Sequence, residues 1–157
     1  MKPSVKVKNQ PLTIAGTLSF AAALLHVACI IGGPSWYRFF GAGDNMVRLA
    51  QTGDSYPVYV TLLITAVLIS WALYAWSGAR LIVKLPLLKT CLTLITAVYL
   101  IRGIVGLIFP FFTDDPIVHQ NSLIFWVVSS VICCIVGGYY FAGTRRLWHQ
   151  QYSKLKN

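Results

Sequence analysis

Residues 57–89, PVYVTLLITAVLISWALYAWSGARLIVKLPLLK, consist of a long apolar stretch followed by a short basic segment. Residues 57–77 hold no charged side chain, and a helix of this length crosses a hydrocarbon core about 30 Å thick. Arg80, Lys84 and Lys89 then follow closely. Because basic residues beside a membrane span are retained in the cytoplasm, this stretch predicts a transmembrane helix that ends on the cytoplasmic side.

Three further apolar stretches have the same character, at residues 12–33, 87–109 and 120–143. Unpaired backbone is costly in lipid and the stretches show no alternating barrel pattern, so all four are predicted to be helices. The first stretch is too long for the core of an export signal and is predicted to be retained. The sequence therefore predicts an all-α polytopic membrane protein, a single four-transmembrane-helix bundle over residues 1–157.

The charges between the apolar stretches are sorted by side. The N-terminal segment, the second connection and the C-terminal segment are basic, whereas the first and third connections hold all the acids, Asp44, Asp54, Asp114 and Asp115. This pattern predicts that both termini are cytoplasmic and that the first and third connections are external.

The composition excludes a soluble nucleic-acid-binding domain. The chain is 57% hydrophobic and 11% charged, which is too apolar for an ordinary soluble domain. Its net charge of +9 is spread over three juxtamembrane segments rather than one continuous face. The basic residues are better explained by orientation and by contact with anionic headgroups, so membrane lipids are the predicted partners and nucleic acid is not.

The first connection is too aromatic for a free loop. Residues 35–40, SWYRFF, are predicted to anchor at the membrane interface, and residues 41–43, GAG, to form a sharp turn. Asp44 is then predicted to cap a short interfacial helix that runs to Gln51. Its apolar side chains are expected to rest on the membrane, namely Met46, Val47, Leu49 and Ala50.

Small residues recur at helical spacing and predict helix contacts, within the chain or between copies. Three ridges have this pattern: Ala15, Ser19 and Ala23; Ser129, Cys133 and Gly137; and Ser130, Cys134, Gly138 and Ala142. The four cysteines form no CxxC pair, so they are interpreted as packing residues rather than as a redox or zinc site.

Arg102 and His26 are ionisable residues inside apolar stretches, at a similar predicted depth. A buried arginine costs about 2.5 kcal/mol or more unless it is paired or reaches water. Because helix side chains lean toward their own N-terminus, Arg102 is expected not to reach the outer surface easily. A ligand-binding site is hypothesised from Arg102, His26 and Tyr99, with Asp44 or Asp54 brought over them by the first connection. The alternative is a structural arginine satisfied by water or carbonyl groups.

The missing groups limit what such a site can do. No carboxylate lies within an apolar stretch, and no set of residues suggests a nucleophile or a metal ion. A haem would need a second axial histidine, but His119 is predicted to lie higher than His26, and His149 on the opposite side. The sequence therefore predicts no cofactor, metal or catalytic residue. An arginine in an aromatic-walled cavity suits an anionic headgroup or a carbonyl-bearing lipid such as a quinone.

Two segments carry a resemblance to known proteins: residues 26–43, HVACIIGGPSWYRFFGAG, and residues 85–103, LPLLKTCLTLITAVYLIRG. Over about the first 110 residues the chain loosely resembles a group of small, uncharacterised bacterial inner-membrane proteins. The resemblance implies four helices and a location in the bacterial cytoplasmic membrane, and it implies no catalytic activity.

Two classes of function follow. The first is a non-enzymatic accessory or partner-binding module that docks other membrane helices or a second copy. The second is a lipid- or quinone-binding protein, or a small transporter, with a polar site around Arg102 and His26. A membrane enzyme ranks behind both.

Overall fold

The structure is a computed structural model that describes residues 8–112 and 123–155, with side chains described as far as residue 149. Within these residues it is built from helices and contains no strand. The elements are α1 (Gln10–Gly32), α2 (Pro34–Phe39), α3 (Asp44–Gln51), α4 (Tyr56–Gly78), α5 (Leu88–Ile108), a short 3₁₀ helix (Phe109–Phe111) and α6 (Leu123–Leu155).

Four of the helices, α1, α4, α5 and α6, are long and apolar enough to cross a membrane, which confirms the predicted helical membrane architecture. The bounds of α1, α4 and α5 lie close to the predicted spans. The predicted start of the fourth span, residue 120, lies outside the described residues. At its other end α6 continues beyond residue 143 to Leu155, because the intervening sequence has no proline or glycine to end the helix.

The bundle is assembled from two closely packed pairs. The most extensive contacts join α1 to α4 and α5 to α6, and α1 also packs on α6, whereas α4 and α5 contact each other less. We call the end that holds Asp44 and Asp54 the acidic end. The opposite end, which holds Arg80, Lys84, Lys89, Arg145 and Arg146, is the basic end.

Small residues allow the helices to approach closely. Ala15, Ser19 and Ala23 are all buried on α1, as their spacing predicts. Gly103 of α5 lies against the backbone of Ser130 and Cys134 on α6. The ridge of Ser130 and Cys134 therefore makes its contact within the chain.

A chain of buried hydroxyl groups ties all four long helices together. The Ser19 hydroxyl lies 3.0 Å from those of Tyr99 and Tyr140, and Tyr140 donates to the Trp71 carbonyl over 3.0 Å. Because that carbonyl can only accept, Ser19 donates to Tyr140 and accepts from Tyr99, so every hydroxyl hydrogen in the chain has an acceptor. Tyr99 and Tyr140 also stack, with ring centroids 5.5 Å apart.

The first connection is more helical than predicted. Residues 34–39 form α2, which starts at a proline in a favourable position. The turn that follows contains Gly41 and Gly43 at φ of 69° and 88°, where glycine is favoured. Helix α3 has the predicted bounds, but its N-cap is Gly43 and no side chain caps it. The prediction of Asp44 as the cap is therefore wrong, and Asp44 is the first helical residue.

Helix α3 also faces the bundle more than predicted. Val47 is buried and packs with Cys29 and Tyr37 in a small apolar cluster, which Phe40 and Ala50 cover. Tyr37 in turn lies 3.1 Å from the Thr61 hydroxyl of α4. Val47 thus binds the connection to the protein, and does not rest on lipid as the sequence suggested.

Candidate ligand-binding site around Arg102

Arg102 lies on α5, six residues before the helix ends at Ile108, and its side chain is partly buried. The guanidinium extends toward the acidic end, so that Nη1 lies beside Gly106, one turn further along the helix. A side chain at Gly106 would occupy the place of Nη1. The expected lean toward the helix N-terminus is therefore wrong for Arg102, because Gly106 leaves room in the opposite direction.

The guanidinium is held by three residues of α6. Nη1 donates to the Ser130 hydroxyl at 3.3 Å, and Nη2 donates to the Ser129 hydroxyl at 3.4 Å. The guanidinium carbon also lies 5.0 Å from the centre of the Trp126 ring, within the range of a cation–π contact. We call Arg102, Gly106, Trp126, Ser129 and Ser130 the Arg102 notch.

The notch has more donors than acceptors. A guanidinium carries five N–H donors, and those bound within the notch meet neutral hydroxyl oxygens. Ser129 donates its own hydrogen to the Trp126 carbonyl at 3.3 Å, so it can only accept from Arg102. Within the described residues no carboxylate pairs with Arg102. This arrangement suits a ligand that brings negative charge or carbonyl oxygens.

His26 makes no described hydrogen bond to Arg102. It lies six residues before the end of α1, as Arg102 does on α5, so both are about 9 Å from the acidic end of their helices. Its Nδ1 lies 2.8 Å from the Ala22 carbonyl on the same helix. A carbonyl only accepts, so Nδ1 carries the proton.

Tyr99, Asp54 and Asp44 make no described hydrogen bond to Arg102 either. Tyr99 turns into the hydroxyl chain and packs edge-on against Trp71. Asp54 accepts a hydrogen bond from the Tyr56 backbone N–H over 2.7 Å, at the start of α4, and Asp44 is exposed in the first turn of α3. No described hydrogen bond links the five predicted site residues to one another.

The first connection nevertheless reaches the helix that forms the notch. The Phe125 ring lies directly against Gly41, where a side chain would collide with it. Phe125 precedes Trp126, which covers the Arg102 guanidinium. The contact between the first connection and this part of α6 is therefore made by the glycine turn rather than by an acid. Asp114 and Asp115 lie outside the described residues.

Sequence reasoning missed the α6 half of the notch. Ser129 and Ser130 were assigned to packing ridges, and Trp126 had no assigned role. A signal was present, because two consecutive hydroxyl residues lie close to an aromatic residue in the first three turns of the helix that follows Arg102. Depth alone could not show that α6, rather than α1, is the neighbour that binds Arg102.

All four cysteines are free thiols. Cys29 lies in the α3 cluster, Cys91 lies in the first turn of α5, Cys133 packs beside the core and Cys134 lies against Gly103. In the part of the chain that the structure describes, no three His, Cys, Asp or Glu residues are placed to hold a metal ion. His119 lies outside that part.

No protein-family model, curated protein or solved structure matches this chain.

Proposed function

We propose that the chain is a multi-pass protein of the bacterial inner membrane, with both termini in the cytoplasm and the acidic end outside. The sorting of basic and acidic connections supports this orientation. The sequence resemblance supports the bacterial location. In this orientation the Arg102 notch lies in the outer leaflet.

Its function, in this proposal, is non-enzymatic binding of a lipid with an anionic headgroup at the Arg102 notch. The observation that carries it is the guanidinium, bound to two neutral hydroxyls and an aromatic face, with no described carboxylate beside it. Burial of an arginine inside a membrane costs about 2.5 kcal/mol or more. An anionic oxygen that accepts hydrogen bonds from the guanidinium offsets that cost. The carbonyl oxygens of a quinone are the neutral alternative.

Arg102→Leu tests this proposal. We expect the variant to fold and to lose a co-purifying lipid that native mass spectrometry detects on the wild type. Arg102→Lys should restore part of the binding, because lysine keeps the charge but lacks the planar fork. Arg48→Leu is the control, since Arg48 is an exposed arginine at the same end that bonds to Asn45 within α3.

A structural arginine gives a different result. Arg102→Leu would then raise thermal stability and leave the lipid content equal to that of the wild type and of Arg48→Leu. If Arg102→Leu loses a quinone rather than an anionic lipid, the proposal of an anionic headgroup is rejected and the quinone is the ligand of the notch.

A second candidate is the accessory module, for which Gly138 is the specific observation. Gly138 is exposed on α6, nothing lies within 4 Å of the place where its side chain would be, and Ala142, one turn later, is exposed too. Small residues on an outward face allow a second copy's helix to approach closely. Gly138→Leu should abolish energy transfer between labelled copies in vesicles, and wild-type protein that shows no such transfer would reject self-association.

A further inference from the structure

A groove of about 940 Å³ opens at the basic end, between the end of α4, the connection of residues 79–87 and the start of α5. It lies between α4 and α5, which contact each other much less than the α1–α4 and α5–α6 pairs do. Leu147 of α6 closes one side.

The groove is positively charged. Arg80, Lys84 and Lys89 all line it, and none of its lining residues is acidic. Lys89 also lies over the Trp148 ring, 4.4 Å from its centre, which fixes one cation at the edge of α6. Three cations that face one cavity produce a potential that attracts an anion more strongly than separate surface charges do.

The connection that carries these cations is tied in place. The Ser77 hydroxyl donates to the Val83 carbonyl and accepts from the Leu85 backbone N–H, each over 2.9 Å. Arg80 and Leu87 have φ of 62° and 50°, which non-glycine residues rarely adopt. These bonds and turns position the cations before any ligand arrives, which lowers the entropy cost of binding.

The backbone adds to the positive potential. Helix α5 begins at Leu88, and its N-cap residue, Leu87, provides no side-chain hydrogen bond. The first N–H groups of a helix have no partner within it, and the helix dipole makes this end partly positive. Leu88, Lys89 and Thr90 of this first turn all line the groove.

Exposed apolar side chains alternate with the cations and indicate the source of the ligand. Leu87 and Ile82 line the groove and are 74% and 38% exposed, and Val83 in the same connection is 79% exposed. Such side chains are stable when they enter the boundary between headgroups and acyl chains. Apolar side chains at and beside the groove favour an anion that carries acyl chains over a free anion in water.

We propose that this groove binds the phosphodiester headgroup of an anionic phospholipid in the leaflet at the basic end. The site is separate from the Arg102 notch and lies at the opposite end of the bundle. The shared chemistry also fits inorganic phosphate, so the experiment separates the two sources.

The test uses the full-length protein in detergent, with phosphatidylglycerol added and phosphatidylcholine or inorganic phosphate in parallel samples. The groove variant is Arg80→Gln with Lys84→Gln. Its control is Arg145→Gln with Arg146→Gln, which removes the same charge at the same end outside the groove. We expect about 30-fold weaker phosphatidylglycerol retention for the groove variant, because each cation beside the bound headgroup contributes about a factor of five. We expect little change for the control, because Arg145 and Arg146 do not line the groove.

Lys84→Gln alone provides a second variant, which we expect to keep the fold because Lys84 is exposed. Equal losses of phosphatidylglycerol retention in the groove variant and its control would overturn the proposal, because any basic surface of the protein would then be enough to retain the lipid. Displacement of the lipid by millimolar inorganic phosphate would overturn the lipid assignment. Arg102→Leu should leave this retention unchanged, so failure here and failure at the notch are distinguishable.

Discussion

Ser19 is the residue on which the hydroxyl chain depends, because it bonds to both Tyr99 and Tyr140 while fully buried. The sequence predicted that Ser19 lies at a helix contact, and this is confirmed by its burial. It could not predict that Tyr99 turns toward Ser19 rather than toward Arg102. Two residues three positions apart share a helix face, but the direction of each side chain depends on what the neighbouring helices offer.

Ser19→Ala should destabilise the protein by about 1–2 kcal/mol, because the buried Tyr99 hydroxyl loses its acceptor. Reversible unfolding in mixed micelles measures the change. Ser70→Ala is the control, because the exposed Ser70 hydroxyl bonds only to the Ala66 carbonyl of its own helix. Similar midpoints for the two variants would show that the hydroxyl chain does not stabilise the bundle.

At the scale of elements, helix bounds were predictable and helix neighbours were not. Polar residues and prolines end the apolar stretches sharply, so α1, α4 and α5 lie close to the predicted spans. Each of these helices is apolar around most of its circumference, which leaves only a weak periodic signal for the buried face. Helix α2 was missed because its six residues are too few to show a helical period, although Pro34 at its start was a usable signal.

Gly103 tests the crossing of α5 and α6. A Cβ atom there would lie 2.5 Å from the Cys134 sulfur and 3.0 Å from the Ser130 carbonyl oxygen, so the helices would have to separate. Gly103→Ala should therefore lower the free energy of unfolding by about 1–3 kcal/mol. The crossing also positions Ser130 under Arg102, so lipid retention at the notch should fall with it.

Gly138→Ala is the matched control for Gly103→Ala, on the same helix pair but facing outward. Nothing lies within 4 Å of its added methyl group, and alanine favours a helix over glycine by about 1 kcal/mol. The thermal midpoint of Gly138→Ala should be equal to or above that of the wild type. If both substitutions destabilise the protein equally, the close approach of α5 and α6 at Gly103 does not explain the effect of Gly103→Ala.

At the scale of the whole molecule, the two ends of the bundle differ in charge, and this difference sets the predicted orientation. The described acids, Asp44 and Asp54, lie at one end, whereas Arg80, Lys84 and Lys89 lie at the other. The same asymmetry assigns the two proposed sites to opposite leaflets: the Arg102 notch to the outer one and the basic groove to the inner one. Orientation therefore decides which lipids each site meets.

Reporter fusions measure this orientation directly. A reporter after Asn157 should be active in the cytoplasm, and one inserted beside Asp54 should be active outside, because basic segments resist transfer across the membrane. A further variant tests whether the basic residues cause this orientation. Replacement of all three of Arg80, Lys84 and Lys89 by glutamine should weaken the preference for one orientation and yield a mixture of both orientations. An external reporter at Asn157 with a cytoplasmic one at Asp54 would invert the bundle, and the basic groove would then face the leaflet that we assign to the Arg102 notch. Reporters on opposite sides in the predicted sense, with the mixed population in the triple variant, would show that the sorted charges themselves fix the orientation.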